Sequence, residues 1–323
     1  MGWRLNYIEY NTEKSLMTLF PCGKKLKGGV WLVLSTPLLA HTLPTSTFRM
    51  FPAVQTPEIC LAAVKKDYKA LQYVVDQTPE ICLAAVKKDY KALQYVVDQT
   101  PEICLAAIRS SEYAGYAIQY VKEQTPELCL AAIEQYAWSL QYVKEQTPEL
   151  CLAAVQRNGH VLRFVKEQTP ELCLIALQES GDALEFVKNQ TPELCLVAVK
   201  SFNWCAIKYA REQTPELCLA AVQTNGSVIE FVWNQTPELC IAAVTAPTYA
   251  QKDTFPLKYV KNQTPEICLA SVKKIGYTLK YVKKQTPEIC LAAVQNYGNA
   301  LKFVKEPTPE MIRTAEEWKA AQY

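Results

Sequence analysis

Residues 55–76 read QTPEICLAAVKKDYKALQYVVD, and residues 77–98 repeat that string without a change. A Thr-Pro-Glu box recurs at Thr56, Thr78, Thr100, Thr125, Thr147, Thr169, Thr191, Thr214, Thr236, Thr264, Thr286 and Thr308, in steps of 22 residues except for steps of 25, 23 and 28. A period of this length marks an array of small supersecondary units, each touching mainly its neighbours.

The box is a helix start signal. Thr56 offers a hydroxyl to the free amides of a first turn, Pro57 has the fixed φ suited to the first helical position, and Glu58 places negative charge at the positive end of the dipole. The run Ile59 to Val64 is apolar on every side, which predicts an inner helix buried all round. The stop is Asp67-Tyr68 in the first two copies. Later it becomes Asn158-Gly159, Ser180-Gly181, Asn225-Gly226, Ile275-Gly276 and Tyr297-Gly298, with the glycine read as a left-handed C-terminal cap. A second short helix then sets Ala70, Leu71, Tyr73 and Val74 on one face and Gln72 and Asp76 on the other.

The predicted fold class is therefore all-α, a short-repeat αα-hairpin solenoid of about 22 residues per repeat. Residues 1–54 read as an N-terminal non-repeat segment that caps the first repeat, 55–306 as eleven repeats and 307–323 as a C-terminal capping helix. In that last helix Arg313 and Glu316 replace the usual Leu and Val, as a polar lid requires. One hairpin alone buries too little apolar surface to fold, so stability must come from stacking. Glutamine precedes eleven of the twelve boxes, from Gln55 to Gln285, and Pro307 precedes the last. A bridge to the backbone of the adjacent hairpin is favoured over a ligand-reading ladder.

The 323 residues are half apolar and one-fifth charged, with a net charge of +2, a soluble folded composition without a strong nucleic-acid signature. No stretch reaches the length of a membrane span. Eleven of the thirteen cysteines hold one register in the repeat. Equivalent positions on packed helices lie about 8–10 Å apart, too far for a disulfide, so the thiols read as reduced core residues. That places the chain in a reducing compartment, the cytoplasm or, for a viral protein, the host cytoplasm or virion. Residues 1–54 carry six Lys or Arg against Glu9 and Glu13, and their apolar run Val30–Ala40 resembles a signal-peptide core. Pro37 interrupts that run and the cysteines downstream argue against export. The Met1-Gly2 start is a poor acylation signal because position 6 is Asn. Three of the four Asn-x-Ser/Thr sequons are by-products of the repeat, their Thr being the helix cap.

The pattern TPE-[IL]-C-[LI]-x-A-[VI], then a turn often containing Asn-Gly, then [LI]-x-[YF]-V-x-x-Q, resembles the tandem repeats catalogued as domain of unknown function 4116, over about residues 55–306. Those repeats occur in large DNA viruses of amoebae and some bacteria. The resemblance implies an all-α repeat protein of viral setting and implies no activity.

No phosphate loop, paired-cysteine metal spacing or HExxH is present, and only His41 and His160 could serve as imidazole bases. His160 fills a turn slot held by Ser227, Tyr277 and Asn299 in other copies. Neither an enzyme nor any cofactor or metal is expected. The turns vary most between copies and carry aromatics, of which Tyr136, Trp138, Phe202, Trp204, Tyr249 and Phe255 are candidate binding anchors or, equally, packing residues. The ninth copy has a proline-bounded loop, Thr245–Pro256, in place of a tight turn. Charge is uneven, with 10 basic and 17 acidic residues over 99–251 but 10 basic and 3 acidic over 252–305. Lys273, Lys274, Lys283 and Lys284 lie in the basic part. The expected function is a non-enzymatic scaffold for an unknown protein partner. The alternatives are a self-associating structural component and weak nucleic-acid binding through 252–305.

Overall fold

The computed structural model describes residues 5–8, 18–21, 55–201, 204–247 and 254–321, with only the backbone of 5–8, 18–21 and Trp204. Each box starts an α-helix. Thr56 is extended, at φ −88° and ψ 156°, and its hydroxyl accepts from the Ile59 amide at 3.4 Å. Its carbonyl accepts the first helical bond from Cys60 at 3.0 Å. The hydroxyl contact is long, and Thr78, in an identical sequence, makes no side-chain cap. The preset φ of proline and the backbone bond thus contribute more to the start than the cap does.

The chain divides into two compact units, residues 1–153 and 154–323. The first holds Pro57–Lys66 (α1), Pro79–Lys88 (α2), Pro101–Ile108 (α3) and Pro126–Gln135 (α4), and Pro148–Arg157 (α5) contains the division. The second holds Pro170–Glu179 (α6), Pro192–Lys200 (α7), Pro215–Thr224 (α8), Pro237–Thr245 (α9), Pro265–Lys274 (α10), Pro287–Asn296 (α11) and Pro309–Ala320 (α12). Within each unit the α-helices of successive repeats lie against one another, and so do the short helices between them, giving two layers.

The short second helix is 3-10 rather than α, from Tyr68–Tyr73 in the first repeat to Gly298–Phe303 in the eleventh. Six residues span about 12 Å as a 3-10 helix and about 9 Å as an α-helix, so the looser rise carries a short segment back across the layer to the next box. Ala70, Leu71 and Val74 are buried and Gln72 and Asp76 exposed. Asp67, a single extended residue at φ −140°, joins the two helices and accepts from the Lys69 amide at 3.0 Å. Asn158 and Asn225 do the same for His160 and Ser227.

Asn158, Asn225, Ile275 and Tyr297, which precede glycines, are extended, and Gly159, Gly226, Gly276 and Gly298 open the 3-10 helix without positive φ. Glycine is needed because the next repeat comes close. A Cβ on Gly159 would collide with the Ala176 carbonyl oxygen, one on Gly226 with that of Ala243 and one on Gly276 with that of Ala293. The α-helices are also not buried all round. Ile59, Cys60, Ala63 and Val64 enter the core, but Leu61 and Ala62 are half-buried and Glu58 and Lys65 exposed, because the α layer is one helix thick.

Among the described residues from 55 onward there is no strand. In the N-terminal segment Leu5–Ile8 (β1) pairs antiparallel with Thr18–Pro21 (β2), Leu5 opposite Pro21. The run Val30–Ala40 and His41 lie outside the described residues. In α12 only Met311 and Ala315 are buried, while Arg313, Glu316 and Glu317 face solvent and Arg313 Nε lies 3.8 Å from Glu317 Oε1. Among the described residues no helix is long and apolar enough to cross a membrane.

Candidate partner-binding surfaces

A residue can serve a partner only if the fold does not already use it, and six of the glutamines that precede the boxes have every donor and acceptor engaged. Gln190 Nε2 donates to the Leu184 carbonyl of the preceding repeat and to the Tyr209 carbonyl of its own, both at 3.0 Å. Its Oε1 accepts from the Arg211 amide at 2.9 Å and faces the Cys195 thiol at 3.9 Å. Two donors and two lone pairs are thereby all engaged. Gln77, Gln124, Gln168, Gln213 and Gln263 make the same four contacts. The glutamine row is a stitch between hairpins and not a ligand ladder.

The register cysteines sit on the same stitch. All twelve described cysteines are free, and the eleven in register are buried. Burial, with a smaller contribution from Asp76, pushes the Cys60 thiol up to about 11, and burial also raises Cys82, Cys173, Cys218 and Cys290. These thiols are protonated, weakly donating core groups rather than nucleophiles. No group of three His, Cys, Asp or Glu among the described residues is placed to hold a metal. His160 is half-buried, its ring 6.1 Å from that of Phe186.

The turn aromatics pack on one another across repeats. Tyr136 meets Tyr113 at 5.3 Å and Tyr116 at 5.0 Å, edge to face. Phe255 meets Tyr277 at 5.6 Å, Tyr277 meets Tyr297 at 6.4 Å, and Tyr297 meets Trp318 at 5.4 Å. Trp138 is half-buried. Phe202, Tyr249 and the side chain of Trp204 lie outside the described residues, as do positions 248–253 of the long loop. The ends of that loop are pinned to the preceding repeat, the Gly226 amide bonding to the Pro247 carbonyl at 3.2 Å and Ser227 Oγ to the Thr254 carbonyl at 2.6 Å.

Two of the four lysines are engaged by backbone carbonyls. Lys274 Nζ donates to the Thr245 carbonyl at 2.8 Å and to that of Ala246, closing the C-terminal end of α9, and burial lowers its pKa. Lys283 Nζ donates to the Lys261 carbonyl at 3.0 Å. That bond belongs to a second ladder, in which the residue after the buried Val (Ala210 in the seventh copy) that ends the 3-10 helix reaches back one repeat: Lys122 to Val97, Lys144 to Lys122, Lys188 to Lys166, Arg211 to Lys188 and Lys261 to Trp233. Lys273 and Lys284 are exposed, one ending α10 and the other just before the start of α11.

Sequence reasoning passed over two surfaces. Val75, Val97 and Trp233 stand where the second ladder otherwise has a cation, and all three are exposed, Trp233 by 58%. The signal was present as an apolar residue in a basic register. The other lies on the outer side of the α-helices within each unit, where Leu130 in the first is 39% exposed and Leu174 and Leu219 in the second are 36% and 41% exposed, each beside its box glutamate. Between α11 and α12 this side forms an open groove of about 470 Å³ lined by Pro287, Glu288, Leu291, Thr308, Pro309, Glu310 and Met311.

A family model described as a domain of unknown function (DUF4116) matches the chain twice, over residues 56–100 and 264–307. Each match runs through two successive hairpins, so the family's unit corresponds to a pair of repeats. No curated protein matches the chain.

Proposed function

We propose that the chain is a non-catalytic repeat scaffold that binds a protein partner along the outer side of its α-helices. The observation that carries this reading is the half-exposed leucine that recurs in register, with Leu130, Leu174 and Leu219 the most open. The inner positions of the same helices complete the core, whereas these leucines keep 36–41% of their surface open to solvent. Apolar atoms aligned on a surface and rimmed by carboxylates are typical of interaction sites. The glutamine stitch, the lysine ladder and the aromatic stacks all have structural duties, whereas the outer α side has none among the described residues. The engagement of Lys274 and Lys283 by backbone carbonyls weighs against nucleic-acid binding at 252–305. The free buried thiols support a reducing compartment, and the resemblance of the repeats supports a viral setting.

The test is selection from a random peptide display library on the immobilised whole chain, with a Leu130→Ser, Leu174→Ser, Leu219→Ser protein in parallel. Circular dichroism and the unfolding midpoint establish that the variant is folded. A consensus enriched by the unchanged chain and lost with the variant is expected. No consensus, or the same one from both proteins, overturns the proposal.

A further inference from the structure

The outer side of α6 to α9 also specifies what chain would lie on it, and this step rests on the scaffold reading. In each of these helices the box glutamate precedes the outward apolar residue by three positions: Glu171 and Leu174, Glu193 and Leu196, Glu216 and Leu219, Glu238 and Ile241. Residues three apart share a helix face, so one carboxylate and one branched apolar side chain recur together in each repeat. The four glutamates are exposed, and among the described residues none has a cation within 4 Å.

The charge of this side is set by few groups. Glu171, Glu179, Glu193, Glu216 and Glu238 are exposed on the four helices against the single cation Lys200. A helix N-terminus carries only about half a positive charge, less than the full negative charge of the glutamate beside it. The helices on either side end in cations, Arg157 on α5 and Lys273 and Lys274 on α10, the last reaching the C-terminal end of α9. The side is therefore acidic with an apolar row along it.

Packed helices lie about 8–10 Å apart, which is the step from one glutamate–leucine pair to the next. An α-helix advances about 10.5 Å in seven residues, so a helix lying along the row meets one pair per heptad over about three heptads. We infer that the outer side of α6–α9 takes an amphipathic helix of a partner protein in which Arg or Lys and a neighbouring Leu-like residue recur at heptad spacing. The cations reach the box carboxylates and the apolar residues seat between successive leucines.

The experiment uses the whole chain and a fluorescein-labelled 24-residue synthetic peptide, with one arginine and one leucine per heptad on adjacent positions and alanine and glutamine elsewhere. Fluorescence anisotropy is expected to give micromolar binding that weakens with added salt. The combined Glu193→Gln, Glu216→Gln, Glu238→Gln protein, which keeps side-chain size and fold, is expected to bind at least tenfold more weakly. Equal binding of a sequence-scrambled peptide, or unchanged binding to the folded glutamine variant, overturns the inference. If display selection returns a consensus lost with the leucine variant but without cations at heptad spacing, the scaffold reading stands and this inference falls. If selection returns nothing and the peptide does not bind, both fall.

Discussion

Changing Gln190 to glutamate tests the stitch by altering one atom and one charge. Gln190 Nε2 donates to the carbonyls of Leu184 and Tyr209, and a carboxylate can donate to neither. The two carbonyls lose their partners and gain a negatively charged oxygen about 3 Å away, while the Arg211 amide still bonds to the remaining oxygen. Each acceptor left unpaired costs about 1–3 kcal/mol when buried; the site is part-buried, so Gln190→Glu is expected to cost about 2–4 kcal/mol at pH 7. Gln223→Glu, on an exposed helix position, should stay within about 0.5 kcal/mol. The pH dependence has a fixed sign. The new carboxyl faces carbonyl oxygens, so its folded pKa lies above the unfolded value near 4.3. The protonated form's contribution is fully present below pH 4 and is lost as pH rises through the folded pKa, so the penalty should be smaller at pH 4 than at pH 7. Urea unfolding followed by circular dichroism gives the cost, and hydrogen exchange at the Arg211 amide shows whether the loss is local, as expected where repeats open singly. Equal unfolding midpoints for Gln190→Glu and Gln223→Glu would refute the stitch.

Gly226→Ala tests the close approach of repeats. The added Cβ meets the Ala243 backbone carbonyl, which cannot swing aside, and Pro256 Cγ at 3.0 Å, and the overpacking is expected to lower stability by about 1–3 kcal/mol, read from the urea midpoint. A gain would show instead that only the backbone entropy of glycine matters there. The cysteine row makes alkaline pH the chain's weakness. Thiol pKa values are raised in the fold, to about 11 at Cys60, so their contribution is fully present below about pH 8.5 and is lost as pH rises toward 11. Cys60 alone accounts for on the order of 2 kcal/mol, and Cys82, Cys173, Cys218 and Cys290 shift the same way. Thermal unfolding should show the midpoint falling steeply between pH 9 and 11, and a flat profile over that window would mean the thiols are not held in water-excluded sites.

The repeat, its helix start and its core register were legible because each follows from local chemistry: a capping Thr, a Pro with the right φ, and apolar residues at fixed offsets. The 3-10 form of the second helix was not, because Ala70, Leu71 and Val74 fall on one face at either pitch and only the distance to the next box decides between them. Glycine was misread for a related reason. Its sequence position suggested a cap, whereas its necessity comes from the carbonyl of Ala176 or Ala243 in the next repeat, which no local pattern encodes. Tyr68, Tyr90 and Ala137 hold that register in the first, second and fourth copies, so the glycine contact belongs to only some repeats. Of the candidate anchors, Tyr136 and Phe255 are engaged in ring stacks, while Trp233 and the leucine side were missed because exposure is a property of the layer and not of the letters.

The stitch also accounts for how two repeats can be identical. Every partner of Gln77 is either a backbone atom or the register cysteine: the Leu71 carbonyl six residues before, the Tyr95 carbonyl eighteen after, the Val97 amide twenty after and the Cys82 thiol five after. The same offsets hold at Gln168 and Gln263. A copied segment of 22 residues therefore brings its own partners and finds the rest in whatever backbone precedes it, so insertion leaves no buried donor or acceptor unpaired. Where a repeat is longer, the extra residues enter between the α-helix and the 3-10 helix. In the 28-residue ninth copy Gln235 still bonds to the Ile229 and Tyr259 carbonyls and accepts from Lys261. Length variation is thus confined to the turn, and the outer leucine–glutamate row keeps its register in every copy that duplication adds.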